Sequence, residues 1–148
     1  MDAMVVSGAI ACLGISSVGS AIGTGLAAAA AVGAWKKCYA ANKPAPFTLL
    51  TFVGLPLSQT LYGMILMFVM NAKASVAGAG VAMLILGLFS GLGIGASAIF
   101  QGRAAAAACD AQAETGQGLA NYVIALGVVE TVSIFVMVFT IISIGKIA

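Results

Sequence analysis

Charge is the scarcest feature of this sequence. Among 148 residues there are six Lys or Arg, four Asp or Glu, and no His. Soluble domains carry about a quarter charged residues, so a chain with 7% is expected in a bilayer. A net charge of +2 is too small to hold a nucleic acid. Cysteine is equally sparse: Cys12, Cys38 and Cys109 are odd in number and lack CxxC spacing, which argues against a disulfide framework or a zinc site. Free thiols are expected, with Cys38 and Cys109 near helix ends. Of the three prolines only Pro56 falls inside an apolar run.

What the chain does contain is long uncharged runs. There are 33 uncharged residues between Asp2 and Lys36, 29 between Lys43 and Lys73, and 29 between Lys73 and Arg103. A span needs about 20 apolar residues, so each run crosses once. A fourth, about 119–144, is interrupted only by Glu130. The expectation is an all-α membrane protein with four transmembrane helices over about 4–34, 47–70, 76–109 and 118–146. Helices 1 and 3 exceed what the hydrocarbon requires and should project beyond it. The connections, 36–46, 71–75 and 110–117, are short enough for antiparallel hairpins. The N-terminus has no basic start, and its apolar run is longer than a signal-peptide core, so the first helix is expected to be retained. Lys36, Lys37, Lys43 and Arg103 adjoin one pair of connections, against Lys73 and Lys146 on the other side. The excess of positive charge puts the first group in the cytoplasm and both termini outside.

The chain also repeats. Ser20-Ala21-Ile22, Gly25 and Ala27–Ala31 match Ser97-Ala98-Ile99, Gly102 and Ala104–Ala108 at an offset of 77. Leu55, Thr60 and Phe68 match Leu126, Thr131 and Phe139 at an offset of 71. A single membrane domain, 1–148, is thus read as two tandemly duplicated helical hairpins, 1–72 and 73–148, facing the same way. In this register Gln59 stands where Glu130 stands, and Thr24 stands opposite Gln101. Gly87, Gly91 and Gly95, like Gly19 and Gly23, are spaced by four. Small faces permit close helix packing in lipid; packing within one bundle would use them, and so would the narrow inner wall of an oligomeric ring, which is the expectation here.

Glu130 is the main functional candidate. A charge at mid-bilayer costs at least about 2.5–3.5 kcal/mol on insertion scales, so an intramembrane carboxylate marks a site by default. Leu55, Ser58, Gln59 and Tyr62 form one stripe of helix 2. Pro56 lacks an N–H and frees a backbone carbonyl nearby. Gln101 precedes Glu130 by 29 residues with the turn midway; two arms of about 22 Å at 1.5 Å per residue bring both to one depth. Carboxylate, two amide oxygens, a hydroxyl and a carbonyl suit a hard cation such as Na+, whereas a proton needs no such set. Interhelical hydrogen bonding is the plainer use of the same polar groups, above all for Ser58. Tyr62 reads as a donor fixing the carboxylate. Arg103 lies nearer the cytoplasm than Gln101 and is expected to snorkel to the interface.

At these residues the sequence resembles the four-helix proteolipid, the K or c subunit, of V-type and V/A-type sodium- or proton-translocating ATPases. The likeness covers essentially the whole chain. It rests on Leu55-Pro56-Leu57-Ser58-Gln59-Thr60-Leu61-Tyr62-Gly63, on Phe89-Ser90-Gly91 followed by Gln101-Gly102-Arg103-Ala104-Ala105-Ala106, and on Val129-Glu130-Thr131. The resemblance implies a rotor ring of identical subunits in a bacterial or archaeal cell membrane, with no catalysis of its own. ATP is hydrolysed or made in another sector. It also implies central-stalk subunits at the cytoplasmic loops and a stator subunit bearing an essential Arg. By position, the Na+ ligands would be Glu130, Gln59, Gln101, Ser58 and the Leu55 carbonyl, with Tyr62 orienting the carboxylate and H+ as the alternative ion. The sodium type has Thr where this chain has Ser58, and a shorter stretch between the positions of Phe89 and Gln101. A competing class is a small four-helix proton-coupled multidrug exporter, although its Glu usually lies in the first helix; a structural channel or junction protein is a third.

Overall fold

A computed structural model describes residues 2–147. Every regular element among the described residues is a helix, with no strand: α1 is Ala3–Ala40, α2 is Leu49–Asn71, α3 is Gly80–Thr115 and α4 is Leu119–Gly145. All four are long and apolar enough to cross a membrane, as a multi-pass integral membrane protein requires. The 38 residues of α1 and 36 of α3 correspond to roughly 57 and 54 Å at 1.5 Å per residue, well beyond a hydrocarbon core of about 30 Å.

Both long helices end later than their uncharged runs. α1 continues through Lys36 and Lys37 to Ala40, where 34 was expected. A charge closes a membrane span but not a helix; lysines near a C-terminus favour the helix dipole. α3 runs on past 109 to Thr115, so most of the expected 110–117 connection is helical. It stops at Gly116, whose φ of 68° is left-handed and whose N–H returns to the Gln112 carbonyl at 2.9 Å. That conformation is cheap only for glycine. α3 begins at Gly80, four residues later than expected.

Each helix is antiparallel to its sequence neighbour. At one end the Asp2 N–H donates to the Ala74 carbonyl at 2.9 Å, and Lys73 Nζ donates to the Ile147 carbonyl at 2.8 Å. The start of α1, the α2–α3 connection and the end of α4 therefore sit together. At the other end Lys37 pairs with Asp110 at 2.8 Å, and the Trp35 indole donates to the Pro46 carbonyl. Arg103 is exposed, 5.9 Å from the centre of the Phe100 ring.

α1 and α3 run side by side in the same direction with backbones nearly touching. A Cβ added to Gly8, Gly19 or Gly23 would collide with the carbonyl of Met83, Gly95 or Ala98, and one added to Gly87 or Gly102 would meet Gly8 or Gly23. α2 and α4 lie against this seam. Their apolar side chains form two core clusters, one holding Leu66 and Met83, the other holding Phe52 and Leu126. Gln59 of α2, Gln101 of α3 and Glu130 of α4 fall between these clusters. All three cysteines are free thiols, and all are buried. Cys38 sits two residues from the end of α1, but Cys109 is well inside α3, which continues for six residues beyond it.

Candidate functional site

The site begins with a break in helix 2. Pro56 has no N–H, and the chain tightens into a single 3₁₀ turn over Leu55–Leu57 before resuming as α-helix at Ser58. The Leu55 carbonyl receives the Ser58 N–H there. Ser58 Oγ lies 3.0 Å from the same carbonyl and 3.3 Å from Gln59 Oε1. Its single hydrogen serves one of them at a time.

From Gln59 the bonds cross the bundle. Gln59 Nε2 donates to Gln101 Oε1 on α3 at 2.8 Å. Gln101 Nε2 donates to the Leu126 carbonyl at 3.0 Å and to Glu130 Oε2 at 3.3 Å. The Tyr62 hydroxyl donates to Glu130 Oε1 at 2.6 Å. Gln59 and Gln101 are fully buried, each at 0% exposure, while Ser58, Tyr62 and Glu130 are half-buried. Leu55, Ser58, Gln59, Tyr62, Gln101 and Glu130 thus belong to one hydrogen-bonded chain. Arg103 is not part of it: among the described residues the one ion pair is Lys37–Asp110.

One detail differs from the arrangement expected of a cation shell. Gln101 turns its nitrogen, not its oxygen, toward Glu130 and its oxygen toward Gln59. The electrostatics explain this. Two oxygens facing each other without a cation between them repel, and a primary amide presents donors on one side and an acceptor on the other. Half a turn about the last side-chain bond exchanges the two.

The backbone around the carboxylate is also occupied. Ser97 Oγ donates to the Val129 carbonyl at 3.0 Å, Ser133 Oγ to the Glu130 carbonyl at 2.7 Å, and Thr131 Oγ1 to the Val128 carbonyl at 2.7 Å. Ser97 and Ser133 were not singled out from sequence as site residues. The signals were there: Ser133 lies three residues after Glu130, and Ser97 matches Ser20 at the offset of 77. Hydroxyl bonds to i−3 carbonyls loosen a helix locally, and Ser97 clamps α3 to α4 four residues before Gln101.

Compared with known proteins, the chain matches no protein-family model and no curated protein.

Proposed function

We propose that this chain is a rotor-ring proteolipid of a V-type rotary ATPase, carrying Na+ across the membrane on Glu130, with H+ as the alternative ion. The observation that carries the proposal is the chain of bonds joining Glu130 to Tyr62, Gln101, Gln59, Ser58 and the Leu55 carbonyl between two apolar core clusters. A carboxylate at this depth must be neutralised before it faces hydrocarbon. A hard cation among several neutral oxygens achieves that.

On this proposal the ion is cargo. It would lie against Glu130 Oε2, take the Leu55 carbonyl, Ser58 Oγ and Gln59 Oε1, and turn the Gln101 amide so that its oxygen also faces the ion. Tyr62 would keep the carboxylate in place throughout. When the ion leaves, the Gln101 nitrogen returns to the carboxylate, and the bonds described above close the site. At the stator, an Arg would draw the emptied carboxylate forward and release the ion to an exit channel; a new ion would then load from the other side. The two hairpins would be tandem copies. One would keep the carboxylate and the other its neutral amide at Gln59, which gives one ion per four helices. Identical subunits would close into a ring with α1 and α3 on the inner side, and the lysine-rich end carrying Lys36, Lys37 and Lys43 would meet the central stalk in the cytoplasm.

Carbodiimide labelling of Glu130 tests the ion, and the mass of the detergent-extracted particle tests the assembly. Protection by Na+ on a large stable oligomer is expected. Labelling indifferent to Na+ leaves H+ as the cargo, and a dimer sinks the rotor in favour of an exporter.

A further inference from the structure

Two buried hydroxyls in α1 have no partner among the described residues. Ser20 Oγ and Thr24 Oγ1 are both shut off from solvent, and neither makes a hydrogen bond. Ser20 is 2% exposed. A buried hydroxyl left unsatisfied costs about 1–3 kcal/mol, so such groups point to something that binds them.

Their position follows from the packing of α1 on α2. Gly63 lies against Ser16, and Gly23 lies against Pro56. The two helices are antiparallel, so four residues on from Ser16 and four back from Gly63 bring Ser20 level with Gln59. Three residues from the Gly23–Pro56 contact give the same pairing. Thr24 comes level with Leu55. The unpaired hydroxyls therefore stand behind the α2 half of the polar chain. Gln59 Nε2 carries two hydrogens. One goes to Gln101 Oε1, and the second has no acceptor among the described residues.

The two hairpins differ at this place. In the second hairpin Gln101 fills the space beside Leu126 and Glu130 with its amide. In the first hairpin the matching residue is Thr24, which ends at the γ position and lacks the terminal amide, beside the matching Leu55 and Gln59. Residues four apart on a helix have Cβ atoms about 5–6 Å apart, so one water bridges two such hydroxyls with ordinary bond lengths on both sides. A third partner at Gln59 meets the two to four that a buried water needs.

We infer that the first hairpin holds a buried water between α1 and α2, bound by Ser20 Oγ, Thr24 Oγ1 and the second Nε2 hydrogen of Gln59. The water takes the place of the missing amide and turns the Gln59 oxygen toward Ser58. Ser20 and Thr24 are then positioning residues. What the water does for transport rests on Gln59 being an ion ligand; its existence does not.

The test is water-edited solid-state NMR on the isotopically labelled full chain in lipid, comparing the wild type with the double variant Ser20→Ala, Thr24→Val and with Thr24→Ser. Transfer from water is expected at Ser20 Cβ, Thr24 Cβ and Gln59 Nε2, with fully buried Leu66 and Phe52 dark. It should vanish at Gln59 in the double variant and persist in Thr24→Ser, which keeps the hydroxyl. No transfer at these three sites, or transfer at Gln59 that survives the double variant, overturns the inference even if Na+ protects Glu130. Where Na+ protects the wild type, the double variant should need about fivefold more Na+ for half protection, as loss of one hydrogen bond predicts; an unchanged midpoint overturns the positioning role. A wild type that shows water transfer but no Na+ protection retains the water and sinks the sodium reading alone.

Discussion

The Tyr62 hydroxyl reaches Glu130 Oε1 at 2.6 Å from a neighbouring helix that runs in the same direction as its own target. A bond that short to a carboxylate is of the charge-assisted kind, worth about 1.5–3 kcal/mol. It fixes one oxygen of Glu130 and leaves the other to Gln101. Tyr62→Phe should therefore keep the fold but raise the Na+ needed to protect Glu130 by about tenfold or more. Titration of carbodiimide labelling against Na+ measures this; an unchanged midpoint would remove Tyr62 from the site.

Glu130→Gln keeps the shape and removes the charge. The amide can still accept from Tyr62, so assembly should survive while ion transport stops. The check is coupled ATP hydrolysis and ion uptake in reconstituted vesicles. Transport that continues in this variant would falsify the assignment of Glu130.

Gln101 makes three of the cluster's bonds, to Gln59, Leu126 and Glu130. Gln101→Ala leaves the buried Gln59 Nε2 without its acceptor, while the Leu126 carbonyl keeps its helical partner. A loss of about 1–3 kcal/mol per stranded buried group should appear as a lower unfolding midpoint, and Na+ binding should weaken more than H+ binding. Gln59→Ala strands only Gln101 Oε1 directly and should be milder in thermal melts. The reverse order would show that the amide chain does not run as described.

Glycines in α1 separate folding from assembly. Gly19 is pressed against the Gly95 backbone, whereas a Cβ on Gly14, Gly25 or Gly33 would meet nothing within 4 Å. Gly19→Leu should prevent the fold altogether. Gly25→Leu should leave the isolated chain folded and, if α1 lines the inside of a ring, break the ring, since overpacking an interface costs about 1–3 kcal/mol. A reduced particle mass with intact helical circular dichroism is the expected result. A full-sized particle from Gly25→Leu would move α1 away from the subunit contacts.

Arg103 gives a control. It points away from the cluster, over Phe100. Arg103→Gln should leave the Na+ midpoint within about twofold of wild type, the range of a surface change. A larger shift would require a long-range electrostatic role.

The four helices were legible because uncharged runs record the bilayer's thickness, and the common depth of Gln101 and Glu130 followed from counting residues to a turn. The ends were not legible for the reason seen at Lys36 and Lys37: a lysine tells where lipid stops, while a helix continues until a residue such as Gly116 reverses the backbone. The direction of the Gln101 amide was hidden too. It depends on which partner sits opposite, and a Gln has the same composition either way round. The unpaired state of Ser20 and Thr24 was invisible for the same reason, because it is a property of the space beside them.

The glycine contacts between α1 and α3 recur at four-residue steps along Gly87, Gly91 and Gly95. Side chains that mesh can yield by changing rotamer, but a backbone resting on a backbone has no such freedom. A slip of one residue would drive Leu86 or Leu92 into the opposing carbonyls, so the pair has a single register and behaves as one stiff spar. Any give in the molecule then falls to α2 and α4, which between them hold Tyr62 and Glu130.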